Sequence, residues 1–156
     1  MLAGIAFLIG LAMGSFLNVV ILRGERQEKL NGRSRCESCG KTLSVLELIP
    51  LVSYIMQKGR CRGCGAVLSF QYPLVELATA ILFAFSTWYF LFMYHLRFLN
   101  LLNFESLYYF LALLVTWVVL SAGVVILVSD FRFFLVPDGA VLALALAGII
   151  FMFSRA

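Results

Sequence analysis

Charge is the first thing this sequence lacks. Only 13% of its 156 residues are Asp, Glu, Lys or Arg, while 63% are hydrophobic. Soluble domains carry roughly twice that charge, so a soluble globule is excluded and a polytopic membrane protein is expected. Internal repeats, low-complexity tracts and long linkers are also missing. No βαβ pattern is present, which removes the context a thioredoxin-like C-x-x-C needs. The first apolar run, Met1 to Leu22, has no basic residue before it and no small-x-small cleavage site. It therefore reads as a retained span rather than a signal peptide. Its length is about the ~20 residues that a bilayer requires.

The charge that is present is concentrated. Nine of the twelve Lys and Arg lie between Arg23 and Phe70. A basic loop after an apolar span marks the cytoplasmic side and leaves the N-terminus outside. The loop also carries Glu25, Glu28, Glu37 and Glu47. With the positive-inside bias to explain its basic charge, no nucleic-acid partner is called for.

All four cysteines lie in this loop, as Cys36-x-x-Cys39-Gly40 and Cys61-x-x-Cys64-Gly65, with 21 residues between the pairs. A C-x-x-C turn brings two thiolates within about 4 Å of one metal, and four thiolates close a tetrahedral site with no open position. Gly after each pair lets the chain turn beneath the metal. The alternatives are disulfides, which are rare in a cytosolic loop, or free thiols. The pattern favours structural zinc on Cys36, Cys39, Cys61 and Cys64, supplying much of the loop's folding free energy.

The expected fold is all-α: a polytopic membrane protein of about four transmembrane helices with a small cytoplasmic zinc-ribbon-like domain between spans 1 and 2. Span 1 is 1–22, the four-cysteine zinc-binding domain 23–70, and spans 2–4 lie in 71–156, at about Leu74–Met93, Leu107–Val128 and Gly139–Phe153. Gly10-x-x-x-Gly14 permits a close helix approach, and Asn18 is expected to bond a neighbouring helix or the loop. The apolar stretch from Leu43 to Met56, broken at Pro50, is too short to span. It should form short helical turns at the membrane surface or on the zinc ribbon. Pro73 suits the first turn of span 2. Glu76 either snorkels and favours the helix dipole or faces a polar cavity. Trp88, Tyr89 and Tyr94 form an aromatic belt at the far interface, and His95, Arg97, Asn100, Asn103 and Glu105 an external connection.

Asp130 follows the apolar run Val124–Val128. A carboxylate at membrane depth is a functional candidate by default; the plain alternative is a polar span end paired with Arg132. Asp138 after Pro137 suits a helix start.

Together these motifs resemble the prepilin leader peptidases of type IV pilus, type II secretion and competence systems. The likeness is carried, in order, by Gly14-Ser-Phe-Leu-Asn18-Val, Arg35-Cys36-x-x-Cys39, Glu47-Leu-Ile-Pro50-Leu-x-Ser53-Tyr54, Gly59-Arg60-Cys61-x-x-Cys64, Tyr72-Pro-Leu-Val-Glu76, and Asp130 with Pro137-Asp138. The resemblance implies a bacterial inner-membrane aspartic endopeptidase. It would cut the basic leader from prepilins or pseudopilins at the cytoplasmic face, with Asp130 as one catalytic carboxyl. It also implies methylation of the new N-terminus from S-adenosylmethionine, for which no Gly-rich nucleotide loop is visible. The family's second catalytic motif, Gly-x-Gly-Asp, does not occur here, and a basic residue, Arg132, stands where the family often has an acid. The expectation is therefore an amino-terminal portion of such an enzyme, inactive alone. The alternatives are a non-catalytic, membrane-anchored zinc-ribbon scaffold of a secretion or pilus complex, or a small transporter subunit using Asp130 and Glu76.

Overall fold

The structure is a computed structural model that describes residues 1–93, 104–134 and 137–153. Tyr94, His95, Arg97, Asn100 and Asn103, read above as far-side interfacial residues, lie outside the described residues. Among the described residues five α-helices and one 3-10 turn follow one another: α1 (Leu2–Glu25), the 3-10 turn (Val45–Leu48), α2 (Val52–Met56), α3 (Gln71–Met93), α4 (Phe104–Phe133) and α5 (Asp138–Phe153). Among the described residues β-structure amounts to two isolated bridges, Arg35 with Thr42 and Arg60 with Val67.

Among the described residues three helices are long and apolar enough to cross a membrane: α1, α3, and α4 from Leu107 to Phe133. The fourth, α5, is apolar but short, so the expected four spans appear as three full-length helices and one of 16 residues. The helices overrun the expected spans on the side of the cysteine loop. α1 continues three residues past Leu22, α3 begins three before Leu74, and α4 carries on past Val128 to Phe133. Helices keep their backbone hydrogen bonds internal and can project from a bilayer unaided, whereas hydropathy ends where charge begins.

α1 and α3 make the tightest crossing. A Cβ built on Gly10 would lie 2.6 Å from the Ala80 Cα, and one on Gly14 would lie 2.6 Å from the Glu76 Cα. Both distances are impossible for real side chains, so the two glycines are what allows the backbones to meet. The core at this end is Leu17 and Ile21 from α1, Val75 from α3 and Val125 from α4, flanked by Phe133 and Ala140. Farther along, Phe83 stacks on Trp117 at 4.6 Å, and the indole N–H of Trp117 donates to Ser86 Oγ at 3.2 Å.

Candidate metal centre and the membrane-proximal end of the bundle

The two cysteine turns are built alike. In the first, Cys36 N–H donates to Lys41 O at 2.9 Å and Gly40 N–H to Cys36 O at 3.0 Å. In the second, Cys61 N–H donates to Ala66 O and Gly65 N–H to Cys61 O, both at 2.9 Å. Gly40 and Gly65 take φ of 70° and 72°, the left-handed conformation that returns the chain beneath the thiols and that a Cβ would penalise. The pairs fold back on each other so that all four Sγ atoms lie within 4.8 Å of one another, Cys36 and Cys64 at 3.9 Å. A tetrahedral ion with ~2.3 Å metal–sulfur bonds requires sulfurs about 3.8 Å apart. The four side chains therefore fit a metal, and among the described residues all four are unbridged thiols.

Their acidities point the same way. The backbone N–H of Cys64, followed by that of Gly63, holds the Cys61 thiol down at about 6. A backbone N–H from Ala66 favours the Cys64 thiolate too. Sharing with Cys39, burial, and the nearby Cys61 and Cys36 outweigh it and push Cys64 up to about 11. Once one thiol ionises its neighbours resist, and a bound cation removes that resistance.

The lobe around the thiols is organised by Arg23 and Glu47, whose partners only the structure identifies. Arg23, in the last turn of α1, donates to the carbonyls of Lys29, Leu30, Asn31, Gly32 and Arg33 at 2.6–3.3 Å. Its planar fork thus folds the chain that leaves α1 around one guanidinium. Glu47 is buried; it accepts from Ser44 N–H at 2.9 Å, Ser44 Oγ at 3.0 Å and Lys41 Nζ at 3.0 Å. The Ser44 backbone N–H, then Lys41, hold its carboxyl down at about 2. Ser44-x-x-Glu47 is a capping box, a signal present in the sequence.

The lobe is fastened to the bundle through Glu76 and Tyr72 of α3, and beside them Asn18 ties α1 to α3. Glu76 is 7% exposed and accepts from Leu51 N–H at 2.8 Å, with Leu51 at φ 58°, ψ −49°. Of the two expectations for Glu76 the polar cavity holds, since Glu76 lines one of 370 Å³ between α1, α3 and the cysteine lobe. Asn18 is buried, as expected for a bridging polar group. Its amide donates to Gly14 O and to Tyr72 O at 3.1 Å, and its oxygen accepts from Gln71 at 3.4 Å. Tyr72 Oη donates to Glu37 at 3.3 Å, and Glu37 also pairs with Arg26 at 3.0 Å.

Asp130 stands apart from the thiols and does not line that cavity. It is exposed on α4, one turn before the helix ends, and its carbonyl accepts from Phe134 N–H at 3.0 Å. Arg132 does not pair with it; its guanidinium donates to Gln71 and sits over the Phe133 ring at 5.1 Å. That link sets the end of α4 level with the start of α3. Asp130 and the cysteine lobe therefore share one end of the bundle. Asp138 is exposed in the first turn of α5.

Residues 8–90 match the family described as Bacterial Peptidase A24 N-terminal domain. A prepilin leader peptidase/N-methyltransferase of Myxococcus xanthus is 51% identical over 78 residues, 49% of this chain and 23% of the relative. Proteins of the same name from Pseudomonas aeruginosa and Klebsiella pneumoniae are 34% and 35% identical. They cover 92% and 95% of this chain, and 52% and 60% of the relatives. The chain thus spans from about a quarter to three fifths of the length of these curated relatives. No solved structure matches it.

Proposed function

The chain belongs to the bacterial prepilin leader peptidase/N-methyltransferase family, and from that premise we propose that it forms the metal-clamped part of a membrane aspartic endopeptidase. The enzyme would remove the basic leader from type IV prepilins or pseudopilins at the cytoplasmic face of the inner membrane. The observation that supports this best is the shared end of the bundle. An exposed acid at the lip of α4 and a four-thiol lobe lie at the same end of the bundle, where a membrane-embedded substrate would present its leader. Asp130 is assigned as one carboxyl of the water-activating pair. Such a pair works because two acids share one proton, one taking a proton from water while the other donates. No Gly-x-Gly-Asp occurs in these 156 residues, and none of their acids is assigned as the partner carboxyl.

Zinc, held by Cys36, Cys39, Cys61 and Cys64, would tie the two turns together without an open position for substrate. Glu76 and Tyr72 then hold the lobe against α3, and Asn18 holds α3 against α1. N-methylation by S-adenosylmethionine belongs to the proposal through the relatives' name alone.

In an enzyme carrying both aspartates, Asp130→Asn should abolish prepilin cleavage in reconstituted membranes while leaving thermal stability and metal content unchanged. Retained cleavage would remove Asp130 from the mechanism. A cleavage assay on these 156 residues alone separates this reading from that of a non-catalytic, membrane-anchored scaffold. Turnover would refute both the scaffold and the need for a second aspartate.

A further inference from the structure

α2 is turned the wrong way round for a helix of a water-soluble lobe. Val52, Ile55 and Met56 fall at i, i+3 and i+4, one face of the helix, and are 48%, 72% and 68% exposed. Ser53, Tyr54 and Gln57, on the other side, line the cavity beneath. An amphipathic helix normally buries its apolar face and leaves the polar one in solvent. The outward apolar surface continues through Val45 and Leu46 of the 3-10 turn, at 75% and 69% exposure. Phe70, directly before α3, is 68% exposed and lies edge-on to Tyr54.

The height of this face is determined by α3. Leu51, the residue before α2, is bonded to Glu76, five residues into a 23-residue apolar helix. Five residues rise about 7.5 Å, and 23 rise about 35 Å. The hydrocarbon core is about 30 Å thick, with an interfacial layer of several ångströms on each side. α2 is therefore held at the depth of the headgroups.

Charge complements the position. No Asp or Glu occurs between Glu47 and Glu76, while Lys58, Arg60 and Arg62 follow α2 directly, and Arg60 and Arg62 are exposed. An apolar face flanked by unopposed cations at the edge of a bilayer is the signature of an interfacial segment that favours anionic lipid. We propose that the outward face of the segment from Val45 to Met56 docks into the headgroup region of an anionic bilayer and seats the metal-binding lobe on the membrane. The proposal rests on the long helices spanning a bilayer and not on the peptidase reading. Nothing comparable in position or charge argues for a protein occupant.

The test is photo-crosslinking of the full chain in nanodiscs of phosphatidylglycerol and phosphatidylcholine. p-Benzoylphenylalanine is placed one site at a time at Ile55, Met56, Gln57 and Phe85. Phe85 is 60% exposed on α3 and reports insertion. Lipid adducts at Ile55 and Met56, several-fold above Gln57, are expected. Their yield should fall several-fold in pure phosphatidylcholine, or when Lys58, Arg60 and Arg62 are all changed to Gln. Adducts at Phe85 without lipid adducts at Ile55 and Met56 would overturn the proposal. Crosslinks from Ile55 to a second copy of the chain or to another protein in place of lipid would do the same. Failure at Phe85 would overturn the membrane reading and this proposal with it.

Discussion

At the scale of single residues, the thiols and Glu47 carry the lobe. Cys36 is nearly buried and shares its sulfur with Cys64 at 3.9 Å, so removing it leaves three thiolates that cannot close a tetrahedron. Cys36→Ser should lower bound metal, measured by elemental analysis of the purified protein, and open the loop around residues 29–67 to protease. Unchanged metal content would count against the site. Glu47 makes a separate prediction, because its carboxyl is held at about 2, below its ordinary 4.5. A depressed acid stabilises the fold above its unfolded pKa, and that contribution is lost as pH falls from about 4.5 towards 2. A 13C titration of the Glu47 carboxyl should show a midpoint near the lower value, and Glu47→Gln should flatten the lobe's acid dependence across that window. A midpoint near 4.5 would show that the Ser44 and Lys41 contacts are not maintained in solution.

At the scale of elements, the α1–α3 crossing and the Glu76 tether matter most. Gly14 meets the α3 backbone with no space for a side chain. Overpacking a close interface typically costs about 1–3 kcal/mol. Gly14→Leu should lower stability by at least that much in detergent unfolding, with Gly4→Leu as the control, because nothing lies near a Cβ at Gly4. Equal effects at both positions would mean that the crossing is not built on Gly14. Glu76 is bonded to the backbone where α2 begins. Glu76→Ala leaves Leu51 N–H without its acceptor and frees α2 from α3. Hydrogen exchange across residues 44–58 should rise while the cysteine turns stay protected. Unchanged exchange there would show that the tether is dispensable.

At the scale of the whole molecule, α1, α3 and α4 bring Asn18, Glu76 and Asp130 to the end that bears the cysteine lobe. The link from Arg132 to Gln71 and the bridge from Asn18 to Tyr72 hold that end together. The Glu76–Leu51 and Tyr72–Glu37 bonds join the lobe to that end, so it is part of the bundle rather than a tethered appendage. This arrangement also gives the family assignment a physical counterpart, since residues 8–90, the matched region, include most of α1, the lobe and nearly all of α3.

What could be read in the chain alone was what depends on local order or bulk composition. Four cysteines in two C-x-x-C-Gly turns announce a tetrahedral thiol cluster because each turn's geometry is set within a few neighbouring residues. Long apolar runs announce membrane-length helices because a bilayer demands a minimum length, and Gly10 and Gly14 announce a close approach because only glycine permits one. The partners needed the fold. Arg132 sits two residues from Asp130 yet reaches Gln71, and Glu76 captures a backbone N–H 25 residues earlier. The residues from Leu43 to Met56 are mostly apolar on paper, and tertiary contacts such as the Leu51–Glu76 bond decide which side of them faces outward. Sequence spacing constrains neighbours within a turn or two; how far one helix slides and rotates against another is decided by packing over the whole contact.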